Sequence, residues 1–323
     1  MADRRVSTSR VGRAARLGGV AAGAAARRAA GRDPAGTARA LVKTLSGMRG
    51  AAMKVGQTLS AVDMGLVPEE HREAFQAVLA ELQQGAQAVP FPAIRKVIEQ
   101  DLGGRLSSAF ADFDETPLAA ASIGQVHRAT LHDGRAVAVK VQYPGIKEAV
   151  RADLQNLGLM LRLLDTLAPG VATKAIAAEL RERISEELDY ELEASNQAAM
   201  ARAYRRHPFV VVPDVVRDLC RERVIVSELV EGRRFAEVLD DPAPERDRIG
   251  EVLVRFYFNG PMHHRLLNGD PHPGNALFLP DGRVAFLDFG FFKRLKEEEV
   301  RTQVGTLHAT YPVSYTHLTL PTN

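Results

Sequence analysis

The sequence predicts an α+β protein in which a helical segment, a β-rich part and a second helical part follow one another along the chain. Apolar residues recur at helical spacing in five segments, which are 37–62, 69–82, 91–101, 147–167 and 172–206. Three segments with strand character lie between the third and the fourth of these helices, at 108–116, 124–131 and 136–141. The Asp133-Gly134 pair is typical of a tight turn between two strands, so an antiparallel meander is expected here.

The second half of the chain alternates short strands with one long helix. Strands are predicted at 209–212, 224–229 and 284–287, with a further short strand after residue 275, and the helix at 245–266. A β-rich lobe followed by a helical lobe is the arrangement that this order of elements favours. Polar residues that end the strands would then be expected near a site between the lobes.

Composition places the chain among ordinary globular proteins. It has 323 residues, of which 46% are hydrophobic and 25% charged, so there is ample material for a core. Cys220 is the single cysteine and cannot form an internal disulfide, which favours a reducing, cytoplasmic location. No stretch of 18 apolar residues is present, so the sequence predicts no membrane-spanning helix.

Charge is distributed unevenly along the chain. Residues 1–60 hold 12 Lys+Arg and 2 Asp+Glu, a net charge of +10, which leaves −8 for residues 61–323 out of the total of +2. The basic arm has two interpretations. The arm can simply increase the solubility of the protein, or it can contact anionic lipid headgroups on the inner face of a membrane. Nucleic-acid binding is not expected, because no aromatic residues are interleaved with the basic ones.

The last eleven residues do not resemble the rest of the chain. Residues 313–323 have no amphipathic period and resemble a translated sequencing adapter, so we expect them to be non-native. The helical lobe is then expected to be incomplete, with an exposed apolar face on helix 245–266 and poor solubility as the result.

Three polar anchors in the sequence have the spacing that phosphoryl transfer requires. Lys140 ends a strand, Asp270 and Asn275 share a short loop, and Asp288 begins the Asp-Phe-Gly segment after another strand. A nucleoside triphosphate needs a cation beside its phosphates, oxygen ligands for Mg²⁺ and a carboxylate near the attacking hydroxyl. The pattern therefore predicts ATP and Mg²⁺ as cofactors, with Lys140 on the phosphates, Asn275 and Asp288 as metal ligands, and Asp270 as the general base or as the residue that orients the attacking hydroxyl.

With these motifs the chain resembles the UbiB/AarF family of atypical protein-kinase-like ATPases over about residues 41–293. Four segments carry the resemblance: Lys54-Val55-Gly56-Gln57, the alanine-rich loop Ala119-Ala120-Ala121-Ser122-Ile123-Gly124-Gln125, Glu187-Leu188-Asp189 and the catalytic loop Asp270-Pro271-His272-Pro273-Gly274-Asn275. The resemblance implies a two-lobed protein-kinase-like fold with an added helical N-terminal region. Together with the charge distribution and the unusual tail, it predicts five segments: a basic arm over 1–36, a helical extension over 37–106, an N-lobe with inserted helices over 107–232, a partial C-lobe over 233–312 and the tail over 313–323.

The resemblance also assigns roles to particular residues. Glu193 would pair with Lys140, and Lys54, Gly56 and Gln57 would form a gate over the pocket together with Glu187 and Asp189. The alanine-rich loop would bind phosphates, from Ala119 to Gln125. Glu228-Leu229-Val230 resembles a kinase hinge, whose backbone at Glu228 and Val230 would meet adenine. Asn268 stands where the family usually has His, so support for the catalytic loop is either missing or supplied by the Asn amide.

The function that the resemblance implies is Mg²⁺-dependent ATPase or phosphotransfer activity in isoprenoid quinone or lipid metabolism. Two alternatives remain open at this point. One is a small-molecule or lipid phosphotransferase, and the other is a nucleotide-gated lipid-binding protein without useful catalysis. The expected partners are a nucleotide and an isoprenoid lipid or quinone precursor, with a peripheral contact to an anionic membrane.

Overall fold

The structure, a computed structural model, describes residues 88–121, 123–151 and 188–310. Among them, 88–121, 123–129, 139–151 and Leu188 belong to a first compact unit, and 130–138 and 189–310 belong to a second. The basic arm, the helices predicted at 37–62 and 69–82, and the tail lie outside the described residues. The predicted segment boundaries therefore stay predictions.

The first unit begins with helix α1, Phe91–Leu102, which confirms the prediction over 91–101. A proline in its first turn favours the start of the helix, and Gly103 ends it in the left-handed conformation at φ +70°. Its buried face consists of Ile94, Val97 and Ile98. A short helix, α2, Leu106–Ala109, follows immediately.

The first unit also contains β1, most of β2 and the end of β3. They span Asp112–Ala120, Gly124–Thr130 and Ala136–Gln142, with β2 between the other two. The predicted start of the first strand at 108 was wrong, because α2 occupies those residues. The Asp133-Gly134 turn is confirmed: the Leu131 N–H donates to the Arg135 carbonyl at 2.9 Å, and Gly134 has φ +86°.

Helix α3, Tyr190–Ala203, opens the long part of the second unit. Asp189 is its N-cap in extended conformation, with φ −106° and ψ 90°, and its carboxylate accepts the Leu192 N–H at 2.9 Å. The prediction of one uninterrupted helix over 172–206 was therefore wrong at Asp189. A capping residue placed before a helix satisfies the free N–H groups of its first turn, and so it marks a start rather than an interior position.

The rest of the second unit consists of short elements around one core. In chain order they are β4 Val210–Val211, β5 Val224–Glu228, α4 Phe235–Val238, α5 Ala243–Val254, a π-helix Arg255–Asn259, α6 Gly260–His264, β6 Leu266–Asn268, β7 Ala276–Phe278, β8 Val284–Phe286, β9 Phe292–Arg294 and α7 Glu297–Thr310. The predicted helix 245–266 is thus three consecutive helical segments followed by β6. Elements β6, β9 and α7 were not predicted from the sequence.

Two small sheets position the loops of the second unit. Strand β8 lies between β4, which is parallel to it, and β7, which is antiparallel, with Val210 opposite Val284 and Leu277 opposite Ala285. Strands β6 and β9 form an antiparallel pair, with Asn268 opposite Phe292. The first residues of β3 lie beside β5, where the Leu229 N–H donates to the Ala136 carbonyl at 3.1 Å.

The core of the second unit lies between the π-helix and β8. The rings of Phe256 and Phe286 stack with centroids 3.5 Å apart, and both side chains are buried, as is Phe289. On the opposite side of the helical segments, Val254 and Phe258 are 53% and 66% exposed. The prediction of an exposed apolar face is confirmed for these two residues, whereas the effect on solubility stays a prediction. No helix among the described residues is both long enough and apolar enough to span a bilayer.

Gly260 is required where α6 meets the π-helix, and its replacement by alanine tests this packing. An added Cβ would overlap the hydroxyl of buried Tyr204. Burial raises the pKa of Tyr204 to about 12, which shows how little water reaches this hydroxyl. Gly260→Ala should lower the free energy of unfolding by about 1–3 kcal/mol, because a packed side chain must move. Chemical denaturation of the full chain measures this change.

Gly250 supplies the matched control on the preceding helix. It lies inside α5 with nothing within 4 Å of an added Cβ, so Gly250→Ala should raise stability by about 0.5–1 kcal/mol. Adding Tyr204→Phe to Gly260→Ala removes the overlapping oxygen and should recover part of the loss. Equal effects of the two alanines would contradict the packing argument.

Candidate active site

The catalytic loop begins at the end of β6 and brings together two of the predicted site residues. The Asn275 side-chain nitrogen lies 3.3 Å from the Asp270 Oδ2 and 3.4 Å from the Asp270 carbonyl oxygen. Gly269, just before the loop, donates its N–H to the Phe291 carbonyl at 2.9 Å, and an added Cβ there would stand 2.9 Å from the Phe291 ring. The loop is therefore closed on itself and held against the chain that follows Asp-Phe-Gly.

Asp288 is brought next to this loop by β8. The Leu287 N–H donates to the Asn275 carbonyl at 3.0 Å, so the residue before Asp288 is bonded to the last residue of the loop. The Asp288 Oδ1 accepts the Gly290 N–H at 2.9 Å, which holds the carboxylate over its own turn. The three residues predicted to act on the metal and on the acceptor thus share one region of the second unit.

Asn268 joins the two parts of the site. Its side-chain nitrogen donates to the Asp288 carbonyl at 2.8 Å, and its Oδ1 accepts the Asp270 N–H at 3.1 Å. The side chain is buried, with 4% of the residue exposed. The question that the sequence left open has a clear structural answer: the amide of Asn268 supports the catalytic loop, and it bonds the Asp-Phe-Gly backbone at the same time.

Glu193, on α3, is the most buried carboxylate at this site, with 3% exposure. A Cβ added at Gly290 would stand 3.3 Å from the Asp288 Oδ1 and 3.8 Å from the Glu193 Oε2. Two carboxylates therefore flank the same glycine, and their negative charges favour a cation nearby. The proposed pairing of Glu193 with Lys140 stays a prediction.

The donor set of the second unit suits a hard cation. The Asp288 carboxylate and the Asn275 amide oxygen are the oxygen ligands that Mg²⁺ prefers, and Mg²⁺ completes its shell with water and phosphate oxygens. Among the residues that the structure describes, no group of three or more His, Cys, Asp and Glu side chains could hold a metal ion on its own.

Tyr257 is a residue of this region that sequence analysis missed. It lies in the π-helix, and its ring meets the face of Phe286 edge-on, with centroids 5.6 Å apart and planes 88° apart. Burial raises its pKa, and the negative charges of Asp270 and Asp288 raise it further, so its hydroxyl stays protonated near both carboxylates. No local signal in the sequence predicts this placement, because it depends on the extra residue in the helical turn.

The alanine-rich loop belongs to the first unit. Ala119 and Ala120 end β1 with exposed side chains, and the Ala121 N–H donates to the Gly124 carbonyl at 2.8 Å. The Ile123 side chain is buried and its carbonyl accepts the Tyr143 N–H at 2.9 Å. Ser122 lies outside the described residues. The N–H of Ala121 is thus bonded within the loop, and the phosphate-binding role of the loop stays a prediction.

Gln125 has a structural role that the sequence did not reveal. Its side chain is fully buried; the Oε1 accepts the Val89 N–H at 2.8 Å, and the Nε2 donates to the His127 Nε2, also at 2.8 Å. His127 in turn donates its Nδ1–H to the Asp114 carbonyl at 2.8 Å, since a carbonyl oxygen can only accept. Any contact of Gln125 with a nucleotide would therefore have to come from its backbone.

Lys140 and the predicted hinge are also described. Lys140 is half-buried in β3 between the buried Val139 and Val141, so its side chain leaves the opposite face of the strand. The Glu228 N–H donates to the Asp214 carbonyl at 2.9 Å, and the Glu228 carboxylate accepts the Asp214 N–H at 3.2 Å. Within the described residues, the backbone N–H and carbonyl of Val230 form no hydrogen bond, as a hinge that bonds adenine requires.

The predicted gate is described only in part. Lys54, Gly56, Gln57 and Glu187 lie outside the described residues. The carboxylate of Asp189 caps α3, so one of its oxygens already accepts a backbone N–H.

Comparisons with known proteins agree with this geometry. A family model for the ABC1 atypical kinase-like domain matches residues 81–318. Similar proteins include the mitochondrial atypical kinase COQ8B of Rattus norvegicus, 34% identical over 89% of this chain and 57% of its own, and the mitochondrial atypical kinase COQ8 of Saccharomyces cerevisiae, 31% identical over 80% of this chain and 51% of its own. The chain thus spans little more than half the length of these curated relatives.

A solved structure extends the comparison to the fold. The complex structure of Rv3197–erythromycin from Mycobacterium tuberculosis has a TM-score of 0.60 and 41% sequence identity, and the match covers 80% of this chain and 65% of that one. A kinase-like α+β fold is thereby confirmed. Because the family match covers most of the chain and includes the catalytic loop and the Asp-Phe-Gly segment, the protein belongs to the ABC1 atypical kinase-like family.

Proposed function

We propose that this protein binds ATP with Mg²⁺ and acts as an atypical kinase-like ATPase or phosphotransferase in isoprenoid quinone or lipid metabolism. One observation carries the proposal: Asp270, Asn275 and Asp288 are bonded into one region of the second unit through the loop and the Leu287–Asn275 hydrogen bond. Oxygen ligands next to a possible base are what phosphoryl transfer to a hydroxyl or to water requires. The family of the chain favours this function over lipid binding without catalysis.

Each of the three site residues of the second unit has a definite role in this proposal. Asn275 and Asp288 would hold Mg²⁺, which when bound neutralises charge on the phosphates of ATP. Asp270 would orient the attacking hydroxyl or water and accept its proton. Asn275 donates to the Asp270 Oδ2 and so orients this carboxylate within the loop.

The first unit and the hinge would bind the nucleotide itself. Lys140 would place its ammonium on the phosphates, and the backbone of the loop from Ala119 to Gln125 would approach them. The backbone N–H and carbonyl of Val230 would bond the adenine edge. Quinone precursors, lipids, a cytoplasmic location and contact with an anionic membrane follow from the family resemblance and the basic arm, and remain proposals for this chain.

Nucleotide-dependent thermal stabilisation tests the proposal. We expect Mg²⁺-ATP at about 100 times its dissociation constant to add about 2.7 kcal/mol, which corresponds to a shift of about 4 °C in a chain of this size, and a much smaller shift with EDTA. Lys140→Ala should remove most of the shift. A well-folded chain that shows no shift with any Mg²⁺-nucleotide would overturn the proposal and leave lipid binding as the better explanation.

A further inference from the structure

Two buried asparagines hold the backbone of the Asp288-Phe289-Gly290 segment. The Asn268 side chain donates to the Asp288 carbonyl at 2.8 Å, and the Asn196 side chain donates to the Phe289 carbonyl at 3.4 Å. They come from separate elements, since Asn268 ends β6 and Asn196 lies in α3. Only 4% of Asn268 and 6% of Asn196 are exposed, so neither amide has water as an easy substitute partner.

The remaining groups of the segment are also constrained. The Gly290 N–H is taken by the Asp288 carboxylate, and the Phe289 ring is fully buried in the core of the second unit. Both carbonyls and the last N–H are therefore bonded, and the central side chain cannot rotate without opening the core. Rotation of the segment would break two buried hydrogen bonds, which is costly because their partners would be left unsatisfied.

The two asparagines are also connected to other residues of the site. The Oδ1 of Asn268 accepts the Asp270 N–H at 3.1 Å, so one side chain sets the distance between the metal-binding segment and the catalytic loop. Asn196 lies one helical turn after Glu193, and both are buried on the same side of α3. Each asparagine therefore ties Asp-Phe-Gly to an element that carries another carboxylate.

We propose that Asn196 and Asn268 are positioning residues that fix the Asp-Phe-Gly backbone, so that the Asp288 carboxylate is oriented for Mg²⁺ before the metal arrives. The inference rests on the proposed function, in which Asp288 is a metal ligand. If the segment could adopt other orientations, only a fraction of molecules would be competent, and the apparent metal affinity would fall by that fraction. Residues behind metal ligands typically change metal affinity by about 10–100-fold when they are removed.

Gln197 supplies a control of the same chemistry next to Asn196. It is 3% exposed, and its side-chain amide donates to the Pro213 carbonyl at 2.9 Å, outside the Asp-Phe-Gly segment and the catalytic loop. Replacing it removes one buried amide hydrogen bond from α3, as replacing Asn196 does. If Asn196 and Asn268 had only a structural role, all three replacements would change the melting temperature and the Mg²⁺ affinity to the same extent.

The experiment uses the full chain and titrates Mg²⁺ by calorimetry at saturating ADP, alongside the melting temperature without ligand. We expect Asn268→Leu and Asn196→Leu each to raise the apparent Mg²⁺ dissociation constant about 10-fold. Gln197→Leu should lower the melting temperature and leave that constant unchanged. Asn268→His, which keeps one donor and one acceptor on the side chain, should retain most of the affinity and serves if the leucine variants do not fold.

Three outcomes separate the claims. If the wild-type protein bound no Mg²⁺-nucleotide, the proposed function itself would be wrong. Wild-type binding with unchanged Mg²⁺ affinity in both asparagine variants would overturn only the positioning role. Equal losses of affinity in Gln197→Leu would also overturn it, because the effect would then follow from lost stability.

Discussion

Asp288→Asn is expected to abolish the Mg²⁺-dependent stabilisation by ATP while leaving the unliganded protein folded. The amide keeps an oxygen that can accept the Gly290 N–H, so the turn is preserved. It loses the negative charge that binds Mg²⁺, and we expect the apparent affinity for Mg²⁺-ATP to fall by about 100-fold or more.

Thermal unfolding with and without Mg²⁺-ATP measures both parts of this result. Asp281→Asn is the matched control, because Asp281 lies in the turn between β7 and β8 and forms an exposed ion pair with Arg283 at 2.7 Å. That variant should keep the full ATP-dependent shift. A shift of normal size in Asp288→Asn would contradict its assignment as a metal ligand.

Asp270→Asn is expected to reduce turnover by about 10²–10⁴-fold, because an amide cannot take the proton of the attacking group. Binding should change much less. The Asp270 side chain lies beside the Asn275 amide rather than at the Asp288 turn, so the predicted metal ligands remain in place. The variant should therefore keep most of the thermal shift that Asp288→Asn loses.

The rate of ADP formation at saturating Mg²⁺-ATP measures turnover, and the thermal shift measures binding in the same samples. Asp288→Asn should lose the thermal shift, whereas Asp270→Asn should keep most of the shift and lose turnover. The thermal shift of the two variants therefore distinguishes a metal ligand from a base. Turnover within about threefold of wild type in Asp270→Asn would show that this carboxylate is not the base. Loss of the thermal shift in that variant would assign Asp270 to the metal instead.

Features fixed by neighbouring residues could be predicted from the sequence. The turn at Asp133-Gly134 requires only a glycine at positive φ, and α1 ends at Gly103 for the same reason. The spacing of Asp270, Asn275 and Asp288 likewise predicts a common site, because the loop and the following strand leave little freedom. The start of α3 was not predicted, although Asp189 before the helix is a favourable N-cap and supplies a local signal for it.

Features that depend on distant partners could not be predicted. Gln125 was assigned to the cofactor from its place in the alanine-rich motif, yet its side chain bonds Val89 and His127 in the interior. The pairing of β6 with β9 depends on segments more than twenty residues apart. Asn268 could be identified as a departure from the family pattern, but only the fold shows that its amide meets both Asp270 and Asp288.

The π-helix at Arg255–Asn259 makes this stretch intolerant of changes in length. Such a turn contains one residue more than an α-helical turn, and the loss of that residue would rotate everything on one side of it by about 100°. Phe256 would then leave its stack on Phe286, or Gly260 would turn away from Tyr204. A single-residue deletion here would therefore be more damaging than most substitutions, and related sequences aligned with a one-residue gap at this point should carry a different set of core residues on one flank.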